Sequence, residues 1–364
     1  MNEVIEDLVS QYAEETAFLW SRRNLAVHSS NYRLSDLAEL DERLAGHIEG
    51  LHVSGVSGWH YCEEGLGRGE AGEVFAAAVV ALETCDSRRL KKVVDAVEGA
   101  PKSVPGICSA FGWVNPATLK STVSNLLVSH EPLHRRIGLT ACALHRVDPG
   151  FASARMFADT EPAVRARALR AAGECGRTEL LATCHQGLAD TNTDCRFWAG
   201  WSAVLLGDRD AALEQLQTTS TERGANRVSA FRLALQAMDV RSAHGWLANV
   251  FTGPQNQRWL IQGSGIVGDP AYVPWLIGRM REAKTARVAG EAFALITGAD
   301  FEEQQLAGTK PAKFESGPTD DLDDPDLDMD PDFDLPWPNP ERVEGWWQLN
   351  NKDFDKGHRY FAGA

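Results

Sequence analysis

The 364-residue chain has no uninterrupted run of about 18 apolar residues, the length a bilayer-crossing helix needs. Its seven cysteines (62, 85, 108, 142, 175, 184 and 195) form no CxxC pair, which leaves neither a zinc ribbon nor a dithiol redox motif. Most sit in apolar helical runs and read as reduced, buried thiols of a cytosolic protein. No GxGxxG follows a strand, and neither GxxxxGK[ST] nor GxSxG occurs. The opening residues, Met1–Glu15, are acidic and amphipathic, without the basic and apolar regions of a secretory signal. Acidic residues outnumber basic ones, 51 to 36. The net charge of −15 speaks against non-specific nucleic-acid binding and for a neutral or basic partner.

What is present is a repeat. Arg135, Arg165, Arg196, Arg227, Arg258 and Arg287 follow one another at steps of 30, 31, 31, 31 and 29 residues. Three places after each come Gly138, Ala168, Ala199, Ala230, Ile261 and Gly290. Seven places after come Cys142, Ala172, Ala203, Ala234, Gly265 and Ala294. Residues at these offsets share one face of a helix, and small side chains there let a neighbouring helix pack close. A period of about 30 is the signature of stacked helical pairs. Extending the register backwards gives Val104 with Ile107 and Phe111, then Glu73 with Ala76 and Val80. The fold class expected is all-α: a right-handed α-solenoid of helical pairs whose units, most clearly Glu161–Ala172, resemble short HEAT-like repeats. Turn signals such as Asp148-Pro149-Gly150 and Gly268-Asp269-Pro270 end the first helix of each pair.

The rest of the chain divides around this array. Residues 1–69 read as an N-terminal helical cap and 70–299 as the solenoid. Residues 300–334 read as an acidic linker, and 335–364 as a Trp-rich segment that docks back on the array. Of the net charge, −10 falls between Glu315 and Asp334, a stretch expected to be disordered or loosely tied. Asn339 should cap a helix that starts at Pro340.

The sharpest chemical motif is His130-Glu131-Pro132-Leu133-His134, a literal HExxH, which in zinc hydrolases supplies two ligands and a general base. The repeat register opposes it. Glu131-Pro132 aligns with Glu161-Pro162 at a helix start, so His130 would precede the helix. The aspartate run has ligand density for calcium but lacks the glycine and glutamate of an EF-hand loop. It reads instead as a solvated, partner-facing surface through Asp326, Asp328 and Asp330. The arginine ladder reads as a structural device, each guanidinium pairing with an acid or helix end of the adjacent repeat; the alternative is a groove for an anionic ligand. Cys184-His185, and His60 with Cys62, have no second pair at metal-ligand spacing. Trp198, Trp201, Trp246, Trp259 and Trp275 gather in the repeats of Arg196, Arg227 and Arg258, and any of them exposed would mark a partner-binding face.

Beyond the generic repeat, the chain resembles a family of bacterial HEAT-like proteins often encoded beside type VI secretion genes. The resemblance is carried by Phe18-Leu19-Trp20 with Arg22-Arg23, Asp41-Glu42-Arg43-Leu44, His145 through Gly150, Val164 through Ala168, Ala292 through Gly298, Leu335 through Pro338, and Trp346-Trp347. That family has no settled activity, so no catalytic residue is carried over. The resemblance implies a Gram-negative cytoplasm and a role near effector loading or self-protection. The expectation is a non-catalytic, cofactor-free protein-interaction scaffold: an adaptor, chaperone or immunity protein for a secreted effector or toxin, binding neither nucleic acid nor membrane. Two alternatives stand beside it, a zinc-dependent hydrolase using His130, Glu131 and His134, and a bilin-lyase-like repeat protein.

Overall fold

The computed structural model describes residues 5–29, 32–312, 314–317 and 330–364, with the backbone alone over 151–153. Among the described residues the chain is all-α, with nineteen α-helices and no strand. It forms two compact units, residues 1–215 and 216–364, and the division falls inside the stretch read above as one array.

The first unit holds α1 (Glu6–Ala26), α2 (Leu34–Val53), α3 (Val56–Gly65), α4 (Ala71–Glu83), α5 (Ser87–Gly99) and α6 (Val104–Trp113). It continues with α7 (Pro116–Leu127), α8 (Pro132–Leu144), α9 (Phe151–Met156), α10 (Pro162–Glu174), α11 (Leu181–Gly187) and α12 (Thr193–Leu205). The unit boundary lies within α13 (Ala211–Thr221). Helices α4, α6, α8, α10 and α12 pack each on the next, and α5, α7, α9 and α11 lie against members of that row. Ten of the 13 residues of α4 are buried, because α1, α3, α5 and α6 surround it. Glycine permits the closest approach in this row. A Cβ on Gly106 of α6 would stand 2.0 Å from the Ala71 carbonyl oxygen at the start of α4.

The repeat positions behave as packing slots. The six residues three places after each ladder arginine are buried, and so are Ala76, Val80, Ile107 and Phe111 from the extended register. Helix starts follow cap chemistry. Pro132 and Pro162 occupy first helical positions, where the missing N–H costs nothing. Asn192 and Asn339 bond through their side chains to free N–H groups of α12 and α19.

The second unit contains α14 (Arg227–Ala237), α15 (Val240–Val250), α16 (Gln257–Val267), α17 (Val273–Arg279), α18 (Ala286–Thr297) and α19 (Pro340–Asn350). Here α14 packs on α16 and α16 on α18, while α15 lies on α16 and α17 on α18. Val343 of α19 enters the core formed by Ile261, Leu276 and Phe293, and Trp346 meets Phe293 edge-on at 5.6 Å. The last residues cap helix ends. Tyr360 N donates to Gly268 O (2.9 Å) and Ala362 N to Leu295 O (2.7 Å), partnering carbonyls that α16 and α18 leave free. No described helix is long and apolar enough to cross a membrane.

Candidate functional site

In the first unit the ladder arginines do the same job three times. Arg135 Nη1 donates to Ser129 O (2.9 Å) and His130 O (2.7 Å), while Nε and Nη2 grip Asp159, both at 2.8 Å. Arg165 bonds Asp159 O and Thr160 O through Nη1, and grips Asp190 at 2.8 and 2.9 Å. Arg196 Nη1 reaches Asp190 O and Thr191 O (2.8 and 3.1 Å). Each guanidinium closes the turn before its own helix, and the first two also bind the aspartate that opens the next turn. The forked geometry explains why arginine, not lysine, occupies these positions. The hydrogen bond from Arg165 holds the Asp190 carboxyl below the usual range, against burial. Burial would raise Asp159, but Arg135 and the Glu161 N–H bring it below as well.

The second unit departs from this pattern. Counting six residues back from each later arginine gives Thr221, Thr252 and Arg281 where Asp159 and Asp190 stood before, so the repeat itself supplies no carboxylate. Arg227 stacks over Trp259 at 4.2 Å and donates to Ser220 O. Arg258 forms a two-pronged pair with Asp332, at 2.8 and 2.5 Å. Arg287, only 6% exposed, donates to Asp332 O (2.7 Å) and Asp330 Oδ2 (2.6 Å) and lies 4.5 Å from the Trp337 ring centre. The end of the acidic stretch is thus folded onto the ladder and not left free. Asp330, expected to face a partner, turns inward to Arg287. Burial would raise its carboxyl, but the Ser316 hydroxyl and Arg287 bring it below the ordinary value. Asp326 and Asp328 lie outside the described residues.

All five singled-out tryptophans are half-buried. In the first unit Trp198 packs against Trp201, with Arg170 lying 4.4 Å over its ring. In the second, Trp246 and Trp259 gather around Phe231 and Phe251, and Trp275 leans on Tyr272. Each has an aromatic neighbour, so none stands as a bare anchor.

In the first unit a groove of about 930 Å³ has α5 and α7 as its walls. Its floor is apolar, with Leu82, Val94 and Leu126. Its rim carries Asp86, Asp95, Glu98 and Glu131 against one lysine, Lys91. The HExxH motif lies at one end. Glu131 is the N-cap residue and Pro132 begins α8, so His130 sits before the helix and the two histidines are not one helical turn apart. His134 Nδ1 bonds Ser129 Oγ at 3.0 Å, and its Nε2 lies 3.5 Å from Glu98. Among the described residues no three His, Cys, Asp or Glu side chains are grouped to hold a metal ion. Burial lifts the thiol of Cys62 to about 12, and those of Cys142, Cys184 and Cys195 to about 11. Such thiols stay protonated at neutral pH and make poor nucleophiles.

Two clusters were assigned no contact by the sequence. Arg359 donates to Leu235 O, Gln236 O, Met238 O and Val267 O, plugging the C-terminal ends of α14 and α16. Asp269, 4% exposed, accepts from Gly357 N and lies 3.0 Å from His244 Nε2. Arg359 follows no repeat, so only contacts across the fold reveal it, whereas the Asp269 contact has an earlier counterpart: Asp208, which follows Gly207 as Asp269 follows Gly268, meets His185 in the same way. No protein-family model matches the chain, and no curated protein matches it.

Proposed function

We propose that the chain is a non-catalytic protein-binding scaffold built as a right-handed α-solenoid of HEAT-like helical pairs. Following the resemblance of its sequence, we read it as a cytoplasmic adaptor, chaperone or immunity protein for a type VI secretion effector. The observation that supports binding is the groove along α5 and α7. Its apolar floor and acidic rim suit a basic amphipathic segment, whose apolar face would cover Leu82, Val94 and Leu126. Rim carboxylates would raise the encounter rate and discriminate against acidic competitors. A groove between helices takes a partner's segment without any reactive group, and the buried, protonated cysteines fit that chemistry.

The test mixes the purified chain with the products of the genes next to its own and follows co-elution. Binding to one of them is expected. Asp95→Lys with Glu98→Lys, both on exposed positions, should cut association at low salt by roughly tenfold or more. A chain that binds none of these products, or a groove variant that binds unchanged, sinks the proposal.

A further inference from the structure

The Arg258–Arg287 pair has the construction of a peptide receptor, and it already holds a peptide. The ligand is the chain's own segment Asp330-Pro331-Asp332, held in a turn that Phe333 N closes on Asp330 O (3.1 Å), and its contacts are those that recognise an acidic peptide. One side-chain carboxylate takes both prongs of Arg258, a second takes Arg287 Nη2, and a backbone carbonyl takes Arg287 Nη1. Trp337 completes the site by stacking on the Arg287 guanidinium.

Three features separate this contact from an ordinary structural staple. In the first unit the acids paired with Arg135 and Arg165 lie within the repeats, 24 and 25 residues away; here they come from 74 and 43 residues downstream. The segment contributes little apolar burial, since Phe333 is 73% exposed, so its hold is chiefly ionic. Its base is fastened independently. Gly308 N donates to Trp337 O (2.6 Å), Asn339 N donates to Leu306 O (2.8 Å), and α19 is anchored through Val343. The two aspartates can therefore leave the arginines while the docked helix stays in place. Arg287 Nε, buried, has no hydrogen-bond partner among the described residues, a donor the resident segment does not satisfy.

We infer that Arg258 and Arg287 form a binding site for acidic Asp-x-Asp peptide segments of a partner protein, and that Asp330-Pro331-Asp332 occupies it in cis as an exchangeable ligand. This site is separate from the α5–α7 groove and does not depend on it. A tethered ligand competes at an effective concentration of roughly millimolar, so it weakens an incoming peptide by about 10- to 100-fold. The partner must outbid the resident segment or carry more contacts.

The experiment uses the full chain and a fluorescein-labelled peptide with the sequence Asp330–Trp337, followed by anisotropy at low ionic strength. Asp330→Asn with Asp332→Asn empties the site. That variant should bind the peptide at least tenfold more tightly than the unaltered chain does. Adding Arg258→Gln should abolish the gain, rising salt should weaken binding, and a peptide with both aspartates changed to asparagine should not bind. The inference is overturned if the emptied variant, keeping the circular dichroism of the unaltered chain, binds no peptide or binds it no better. Should that variant fail to fold, hydrogen exchange on the unaltered chain decides. Excess peptide should strip protection from the amides of Asp332 and Leu335, which donate to Asp330 Oδ1 and Asp332 O. Unchanged protection under saturating peptide overturns it equally.

Discussion

Replacing Asp190 by alanine tests the arginine staple at its best-defined rung. Asp190 is 14% exposed in its side chain and accepts Arg165 Nε and Nη2 at 2.8 and 2.9 Å, while Oδ1 also receives Asn192 N at 2.8 Å. Alanine removes all three bonds. It leaves Arg165, 16% exposed, on the carbonyls of Asp159 and Thr160 alone. Stranding one member of a buried pair costs about 3–5 kcal/mol. The two surviving carbonyl bonds and the solvent edge reduce this to about 2–3 kcal/mol, a factor of about 30 to 150 in the folded-to-unfolded ratio. Removing both partners, as Arg165→Met with Asp190→Leu, should cost less than Asp190→Ala alone, because no charge is then left unpaired. Urea unfolding, read through hydrogen exchange at amides of α10 and α12, reports this unit directly. A loss below about 0.5 kcal/mol for Asp190→Ala, or strict additivity of the two single changes, refutes the reasoning.

Three further outcomes follow from the same geometry. Asp159 and Asp190 titrate below their unfolded value of about 3.9, so the stability they add is complete above that value and fades as pH falls through it towards their folded pKa values. The acid limb of a circular-dichroism stability profile should therefore flatten in Asp190→Asn, and an unchanged slope counts against the pairing. Gly106→Ala drives a methyl into the Ala71 carbonyl and should cost at least about 1–3 kcal/mol in a thermal melt. Gly46→Ala in α2, which meets nothing within 4 Å, should be neutral or stabilising; equal effects would contradict the close α4–α6 contact. Iodoacetamide at mildly alkaline pH should label exposed Cys85 first and spare Cys62, whose thiol is lifted to about 12, until the chain unfolds. Early labelling of Cys62, found by mass spectrometry, would show that its burial is misjudged.

The amino-acid order alone determined whatever depends on neighbours within a turn or two. The slots three places after each arginine follow from helical periodicity, and all of them are buried. The starts at Pro132, Pro162 and Pro340, and the Asn339 cap, follow from which residues can give up or satisfy an N–H at a helix end. The register also put His130 ahead of α8, where the HExxH spacing no longer has its helical geometry.

The tertiary structure decided which group each side chain meets. Six arginines look alike in sequence, yet Arg135 and Arg165 hold the aspartate that opens the turn before the next ladder helix, Arg227 lies on Trp259, and Arg258 and Arg287 hold Asp332 and Asp330. The aspartate run reads as solvated because composition cannot say that one end of it will meet two waiting guanidinium groups. Arg359, without periodic company, closes two helix ends from 92 or more residues away. The physical reason is range. Periodicity and capping are written by contacts a few residues apart, whereas the partner of a charge is fixed only when packing brings distant segments within hydrogen-bond reach.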